Sequence, residues 1–237
     1  MTEKTAAPSA SQTLSRGVRL LELLAAAERP LTIDELADRL GVHRSVAYRL
    51  LRTLEDHRLV VRDDTGRVSL GAGLAALASG VARDLQQAAL PELDAVATEL
   101  GMTCLLAVLL DDDEAVTLVS AAPRQGVAVV SYRPGHRHPV TRGAPGKAIL
   151  LNIPEHSWPA DAPDALHREI AESRARGYTL SHDEVVPSLR SVAVPLLLPG
   201  QPPAAIAVVH VSFSVSVEEI AARLVAAAKR VARAYGA

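Results

Sequence analysis

The sequence predicts an α+β protein in two parts, a small N-terminal unit of helices with one hairpin and a larger C-terminal mixed sheet with helices packed on it, joined by a linker helix. Three observations lead to this prediction. Helical periodicity and helix caps dominate the chain up to residue 56, whereas short apolar runs typical of strands alternate with helical segments beyond Pro91. Apolar residues make up 49% of the 237 residues and aromatic residues 3%, so aliphatic side chains must form the cores.

The first two helices follow a polar arm. Residues 1–13 are small, polar and proline-containing, which predicts a disordered arm. Apolar residues at helical spacing then predict a first helix that ends before Pro30, and they are Leu14, Val18, Leu21 and Ala25. In the second helix, Thr32 and Glu35 have the spacing of a capping box, in which each side chain satisfies a free backbone amide. Gly41 supplies the turn that follows.

A third helix and a hairpin complete the N-terminal unit. The helix is predicted over about 44–56, with an inward face formed by Val46, Ala47, Leu50 and Leu54. The hairpin is predicted by two short apolar runs on either side of the Asp-Asp-Thr-Gly turn signal. Helix, helix, tight turn, helix and hairpin, in this order, form the winged helix-turn-helix pattern, which we assign to residues 14–70.

The third helix carries the strongest functional signal. Six arginines and only two acidic residues fall between Arg39 and Arg62, although the whole chain has a formal net charge of −2. Arginine suits a helix that enters the major groove, because its planar guanidinium pairs bidentately with base edges and phosphates. A solvated helix face is the alternative, but the complete motif favours DNA binding. The candidate DNA-binding residues are His43, Arg44, Ser45, Tyr48, Arg49 and Arg52, together with Arg62 and Arg67 beside the hairpin tip.

Residues 71–90 predict an alanine-rich linker helix. Its apolar residues recur at spacings of 3, 4 and 4, as in a short coiled-coil seam, and they are Leu74, Leu77, Val81 and Leu85. The seam is shorter than three heptads, so two interpretations stay open. The helix either packs on its own domain or pairs two subunits.

The C-terminal part, residues 91–237, is predicted to combine strands and helices. A helix over about 91–100 precedes two apolar strands, which an acidic turn joins. The later elements are a third strand in "VAVVSY", helices in "PGKAILL" and over 163–176, strands at about 190–197 and 203–211, and a closing helix over about 216–235. This order predicts a mixed α+β sheet covered by helices.

Several kinds of site are not predicted. The single cysteine, Cys104, excludes an internal disulfide, and its apolar neighbours indicate a small buried side chain rather than a nucleophile. His136 and His138 form a His-x-His pair, but "RPGHRHP" is typical of a loop and no acidic or cysteine cluster accompanies it, so no metal site is predicted. The sequence has no phosphate-binding loop and no dinucleotide fingerprint, so we predict no cofactor and no enzymatic activity.

The sequence also indicates a compartment. The N-terminal residues lack the pattern of a secretion signal, and the longest apolar runs are too short to cross a bilayer. We therefore expect a cytoplasmic protein with no membrane partner.

Two sets of segments carry a family resemblance. The first set is "LSRGVRLLELL", "PLTIDELADRLGVHRSVAYRLLRTLEDHRLV" and "RVSLGAGL". The second is "HPVTRGAPGKAILL", "RARGYTLSHDEVVPSLRSVAVPL" and "AAIAVVHVS". The first set resembles the DNA-binding domain of the IclR family of bacterial transcription regulators, and the second resembles the effector-binding domain of that family. The resemblance implies a GAF-like sensor domain, assembly as a dimer or a dimer of dimers, and small, often carboxylate-bearing effectors.

The resemblance further implies an effector site beside the loop of residues 143–146. Amides at the start of the helix that follows could hold an anion, although an ordinary loop-to-helix turn is the simpler interpretation of the residues alone. The candidate effector-binding residues are Met102, Cys104, Gly143, Ala144, Gly146, Asp183, Ser191, Val209 and His210.

This candidate site departs from the family pattern towards lower polarity. Pro145 has no amide proton at a position where the family often has a donor. Ser191 stands where cysteine is common, and Ser181 where an acidic residue is common. Ala207 and Val209 stand where serine is common. We therefore expect either no high-affinity effector, or an effector with a substantial hydrophobic part and at most one carboxylate, held near Gly146.

Two classes of function remain. The exposed face expected for Arg44, Tyr48 and Arg49 favours a sequence-specific DNA-binding transcription regulator whose operator affinity responds to a small, partly hydrophobic organic effector. The alternative is a GAF-like interaction module or an enzyme in which the helix-turn-helix mediates protein contacts. For the regulator, the predicted partners are double-stranded DNA with a palindromic operator, the effector, and further copies of the chain.

Overall fold

The computed structural model describes residues 11–123 and 132–236. The chain divides into two compact units, Met1–Val81 and Ala82–Ala237. None of the described helices is long and apolar enough to cross a membrane.

The N-terminal unit has the predicted order of three helices and a hairpin, followed by a short helix. Its elements are α1 (Gln12–Ala25), α2 (Ile33–Leu40), α3 (Arg44–Asp56), β1 (Val60–Arg62), β2 (Val68–Leu70) and α4 (Gly73–Ala78). The capping box at the start of α2 is formed as predicted, and Gly41 adopts the left-handed conformation (φ 63°) that ends this helix. Leu31 pairs with Val68, so the segment before α2 adds a short bridge to the hairpin.

The first helix differs from the prediction in its start and in its buried face. Ser11 caps α1, so the helix begins at Gln12, two residues before its predicted start at Leu14. Gly17, Leu20 and Leu24 face the core, whereas Leu14 and Val18 are 68% and 48% exposed. The sequence contains two apolar stripes on this helix, and periodicity alone does not tell which stripe is buried.

The predicted linker helix over 71–90 is divided in the structure. Ser79 donates a hydrogen bond to the carbonyl of Ala76 at the end of α4, and Ala82 has a left-handed backbone (φ 44°) before α5 (Arg83–Leu100) begins. Pro91 lies inside α5 and does not separate two helices. The apolar stripe that includes Leu85 continues past Pro91 and is buried, so packing stabilises the helix through this point.

The C-terminal unit is a six-stranded sheet with helices on both faces. Its elements after α5 are β3 (Thr103–Leu109), β4 (Glu114–Ala121), β5 (Arg137–Pro139), α6 (Ala144–Leu150), α7 (Asp164–Arg176), β6 (Thr179–His182), β7 (Arg190–Leu196), β8 (Ala204–His210) and α8 (Val217–Tyr235). The strand order is β5-β4-β3-β8-β7-β6, and every ladder among the described residues is antiparallel. The third strand predicted in "VAVVSY" lies almost wholly outside the described residues. Part of the predicted "RPGHRHP" loop instead forms β5.

Two cores lie on opposite faces of this sheet. Alternate residues of β3 belong to different cores, because successive side chains of a strand point to opposite faces of the sheet. Cys104 and Leu106 belong to the core that includes residues of α5 and α8, whereas Leu105 and Ala107 belong to the core that includes residues of α6 and α7. A residue's place in the strand alternation therefore decides which core, and which cavity, it can reach.

Candidate DNA-binding surface and ligand pocket

The third helix is held in the N-terminal unit by one apolar face. Ala47, Leu50 and Leu54 are buried as predicted, and Leu51 is fully buried beside them. His43 caps the helix, because its ring accepts a hydrogen bond from the amide of Ser45. The opposite face is exposed, and it carries His43, Arg44, Ser45, Tyr48, Arg49 and Arg52.

The exposed arginines of α3 differ in their partners. Arg44 lies 3.3 Å from a carboxylate oxygen of Asp34, an ion pair in which both side chains are more than half exposed. Within residues 11–123 and 132–236, the guanidinium groups of Arg49 and Arg52 make no ion pair or hydrogen bond. Because water alone solvates them, these two arginines can exchange water for phosphate or base acceptors at little cost.

The two arginines predicted beside the hairpin tip are already engaged. Arg62 bonds Glu55 through Nε at 3.1 Å, and its guanidinium lies 6.0 Å from the ring centre of Tyr48. Arg67 donates to the carbonyl of Pro30 at 3.2 Å and lies near Glu35. Phosphate contacts by either side chain would have to compete with these partners.

The hairpin tip itself is acidic. One carboxylate oxygen of Asp63 accepts bonds from the amides of Thr65 and Arg67 and from the hydroxyl of Thr65. These hydrogen bonds hold the pKa of Asp63 below its usual value, and the bond from the Thr65 hydroxyl has the largest effect. A tip that carries this carboxylate and the exposed Asp64 repels phosphate, so α3 is the stronger candidate for the DNA contact.

The C-terminal unit contains a small, partly enclosed pocket on the sheet face that α6 covers. Its volume is about 20 Å³, which is room for one water-sized molecule. It is lined by Tyr132, His138, Gly143, Pro145, Ser181, Glu184, Val185, Val186, Leu189, Ser191 and Val209. Most of the lining is therefore apolar, and it comes from β5 to β8, from the start of α6, from Tyr132 before β5 and from the loops around these elements.

Three of the predicted effector-binding residues line this pocket, namely Gly143, Ser191 and Val209. Met102 and Cys104 belong to the core on the opposite face of the sheet, so they do not reach it. His210 is turned back towards Ser212, and Asp183 accepts a hydrogen bond from the amide of Ser188. Burial raises the pKa of Cys104, which keeps its thiol protonated and unreactive, as its apolar neighbours predict.

Ala144 and Gly146 are buried in the first turn of α6 and serve packing. A side chain at Gly146 would come within 2.8 Å of the backbone of Pro139 and Val140, so only glycine allows this approach between α6 and the end of β5. Neither residue lines the pocket. The structure thus gives no support for an effector carboxylate held at Gly146.

An ion cluster that the sequence analysis missed lies beside the pocket. Lys147 is 1% exposed, and its Nζ lies 2.5 Å from Glu169 and 2.7 Å from Glu184. The other carboxylate oxygen of Glu184 accepts the amide N–H of Gly143 at 2.8 Å. Glu184 follows Lys147 by 37 residues and Glu169 lies on α7, so no local pattern in the sequence indicates this cluster.

His138 is the second feature that the sequence analysis did not place in the pocket. The ring is 2% exposed, and neither nitrogen has a hydrogen-bond partner among the described residues. Within residues 11–123 and 132–236, no three histidine, cysteine, aspartate or glutamate side chains are grouped to hold a metal ion. Among the residues that the structure describes, the ring is therefore an unsatisfied polar group in a small pocket.

Protein stability should fall in acid because of His138. Burial, and then the charge of His136, lower the pKa of His138 to about 4 from the ordinary 6.5. The unfolded state binds more protons between these values, so the contribution is complete above pH 6.5 and is lost as the pH falls towards 4. The loss should reach about 3 kcal/mol. Denaturant unfolding across this range should give a shallower pH dependence for His138→Gln than for the unmodified chain, and parallel curves would contradict the assignment.

Comparison with family models identifies both halves of the chain. The model of the IclR helix-turn-helix domain matches residues 13–64. The model of the bacterial transcriptional regulator IclR C-terminal domain matches residues 78–236.

Individual relatives are similar in sequence over most of the chain. The chain is 27% identical to the transcriptional repressor IclR of Escherichia coli, over 95% of this chain and 90% of that protein. It is 30% identical to the glycerol operon regulatory protein of Streptomyces coelicolor, over 78% of each.

Solved structures extend the similarity to the fold. An IclR transcriptional regulator from Alicyclobacillus acidocaldarius matches with a TM-score of 0.84 and 29% identity, covering 96% of this chain and 100% of that one. An IclR homologue from Microbacterium hydrocarbonoxydans, solved as a complex with 4-hydroxybenzoate, matches with a TM-score of 0.79 and 26% identity, covering 94% and 99%.

Proposed function

Since the chain belongs to the IclR family of bacterial transcription regulators, we propose that its α3 reads a two-fold operator and that a small molecule in the C-terminal pocket changes its affinity for that operator. The chain is a DNA-binding regulator and not an enzyme, because its relatives are named regulators and repressors of operons. The observation that carries the DNA-reading role is the exposed face of α3, on which Arg49 and Arg52 have no protein partner among the described residues.

The proposed contacts follow from this face. Arg49 and Arg52 supply donors to bases or phosphates, and Arg44 joins them by leaving its exposed pair with Asp34. Tyr48, Ser45 and the cap residue His43 lie on the same exposed surface. Arg62 and Arg67 have a secondary role, because Glu55 and the carbonyl of Pro30 already hold them.

The effector is proposed to be small and partly hydrophobic. The pocket is lined mainly by apolar side chains, among them Val185, Leu189 and Val209. A relative has been solved with 4-hydroxybenzoate, which combines an aromatic ring with polar ends. A cavity of about 20 Å³ does not hold such a molecule, so a loop that lines the pocket must move outwards when an effector binds. Effector binding would therefore change the conformation of the C-terminal unit.

The direct test is selection of genomic DNA. The purified protein should enrich fragments of the DNA of its source organism that share a two-fold motif, with half-sites separated by about one helical turn or a multiple of it. Compounds related to the genes beside these fragments should then release the protein from them. The absence of any enriched motif would contradict the proposal.

Self-association is expected to involve exposed apolar residues of the N-terminal unit. Leu14 and Val18 on α1 and Leu77 and Val81 near α4 are all about half exposed or more. Leu85 is buried in the core of the C-terminal unit, so it is not available for the intersubunit seam that the sequence predicts. A lone winged module contacts too few base pairs for specific binding, so we expect a second copy of the chain to cover some of these exposed apolar residues.

The dimer is tested by one charged substitution and a matched control. Leu77→Lys should shift the sedimentation of the protein from dimer towards monomer and weaken binding to a two-fold operator, because it places a charge in the apolar contact. Leu197→Lys, at a leucine that is 62% exposed in the C-terminal unit, should leave both unchanged. A micromolar monomer that still protects a two-fold site would contradict the assignment.

A further inference from the structure

The pocket presents a histidine ring that forms no hydrogen bond within the described part of the chain. His138 lies on β5 with its ring buried against the cavity, and its two nitrogens have no partner within residues 11–123 and 132–236. Buried polar groups in folded proteins are almost always hydrogen-bonded, so a ring of this kind indicates a missing partner. The cavity beside it has the size of one small polar group, which is the head of a ligand rather than a whole ligand.

The donors that would hold an acidic head group are already occupied. The carboxylate of Glu184 accepts the amide of Gly143 at 2.8 Å and the ammonium of Lys147 at 2.7 Å. Lys147 also bonds Glu169, so two carboxylates share one buried cation. A ligand carboxylate at this place would have to displace Glu184 or lie beside it, and like charges repel strongly in a partly buried site.

We propose that this pocket selects an uncharged effector head group that both donates and accepts hydrogen bonds, a hydroxyl or a primary carboxamide, and that His138 is the residue that recognises it. The inference rests on the proposed role of the pocket as the effector site. Within that role it names the chemistry of the head group, which the predicted carboxylate at Gly146 does not fit.

The protonation state of the ring supports this choice. The pKa of His138 is lowered to about 4 by burial and by the charge of His136, so the ring is neutral at pH 7. A neutral imidazole offers one N–H donor and one nitrogen acceptor. A hydroxyl or a carboxamide can use either nitrogen, whereas a carboxylate can only accept and gains no opposite charge from the ring.

The loop that carries Glu184 is the wall that must yield to the body of the effector. Residues 184–187 lie between Asp183 and Ser188, whose φ angles are 61° and 64°, a conformation that costs energy for residues other than glycine. Val185 and Val186 of this loop line the pocket; Val185 is partly buried and Val186 is exposed. An aromatic or aliphatic body can therefore displace them outwards while the head group remains at His138.

A matched pair of probes tests the proposal. Calorimetry should show benzamide binding the purified protein roughly ten-fold or more tightly than benzoate, which has the same ring, no hydroxyl and a charged head. Equal binding, tighter binding of the acid, or no binding of the amide at millimolar concentration would overturn the proposal. Operator binding without any probe stays measurable in each case, so such a failure is distinguishable from failure of the DNA-binding role.

Two variants separate the roles of the charge and of the ring. Glu184→Gln should reduce or reverse the preference for the amide, because it removes the negative charge beside the head group. His138→Phe keeps a ring of similar size and should lose roughly ten-fold of the affinity for the amide, while His156→Phe, at an exposed histidine outside the pocket, should not. An unchanged preference in both pocket variants, with thermal unfolding showing folded protein, would remove the basis of the proposal.

Discussion

Replacing Arg49 and Arg52 together with alanine should weaken binding to the selected operator by about 2–6 kcal/mol, since each well-placed bidentate arginine contributes about 1–3 kcal/mol. Both side chains are exposed and have no ion pair or hydrogen bond in the described part of the chain, so their removal takes no interaction from the folded protein. The free energy of unfolding should change by no more than about 0.5 kcal/mol. Fluorescence anisotropy with labelled operator DNA measures the first quantity, and denaturant unfolding measures the second.

A charge-matched control separates specific contacts from general electrostatics. Arg168 and Arg233 are exposed residues of α7 and α8 in the C-terminal unit, and replacing both with alanine changes the net charge by the same amount. This control should bind the operator as the unmodified chain does. If the α3 variant also binds normally at physiological salt, α3 does not read the operator.

Replacing Lys147 with methionine should lower the free energy of unfolding by about 3 kcal/mol or more, because it leaves two carboxylates without their buried cation. Lys147 is 1% exposed, while Glu169 and Glu184 are each about one-third exposed at the side chain and can recover part of their hydration. The loss in the free energy of unfolding should therefore lie near the lower end of the range found when one partner of a buried ion pair is removed. Denaturant unfolding at neutral pH measures it.

Two further variants show whether the lost charge is the cause. Lys147→Met combined with Glu169→Gln and Glu184→Gln should recover most of the stability, since a wholly neutral cluster leaves no uncompensated charge. Lys229→Met, on the exposed face of α8, should have almost no effect. A single Lys147→Met variant that is as stable as the unmodified chain would mean that the cluster contributes little.

Local signals were enough to predict the N-terminal unit. The capping box at Thr32 and the turn at Gly41 depend on neighbours in sequence, and the buried and exposed faces of α3 follow from one clear apolar stripe. The buried face of α1 did not follow from the sequence, because Leu14 and Val18 compete with Leu20 and Leu24 for the role of core face. Helical periodicity alone does not tell which of the two pairs faces the core.

The pocket could be predicted only in part, because its composition depends on strand faces and distant contacts. Both faces of β3 and β8 are buried, so the sequence shows continuous apolar runs and does not separate the face of Cys104 from the face of Val209. The family resemblance located the loop at Gly143, but it did not indicate that Glu184 would bond its amide. His138 belonged to a predicted loop, and only its place on β5 buries the ring.

The most direct test of sequence reading by α3 compares the selected operator with a scrambled DNA of the same length and composition over a range of salt concentrations. The affinity for both should fall linearly on a logarithmic scale as salt rises, because each neutralised phosphate releases counterions. The operator should keep an advantage of about a thousand-fold or more at physiological salt. Equal affinity for the two DNAs, or binding that does not respond to salt, would contradict the account.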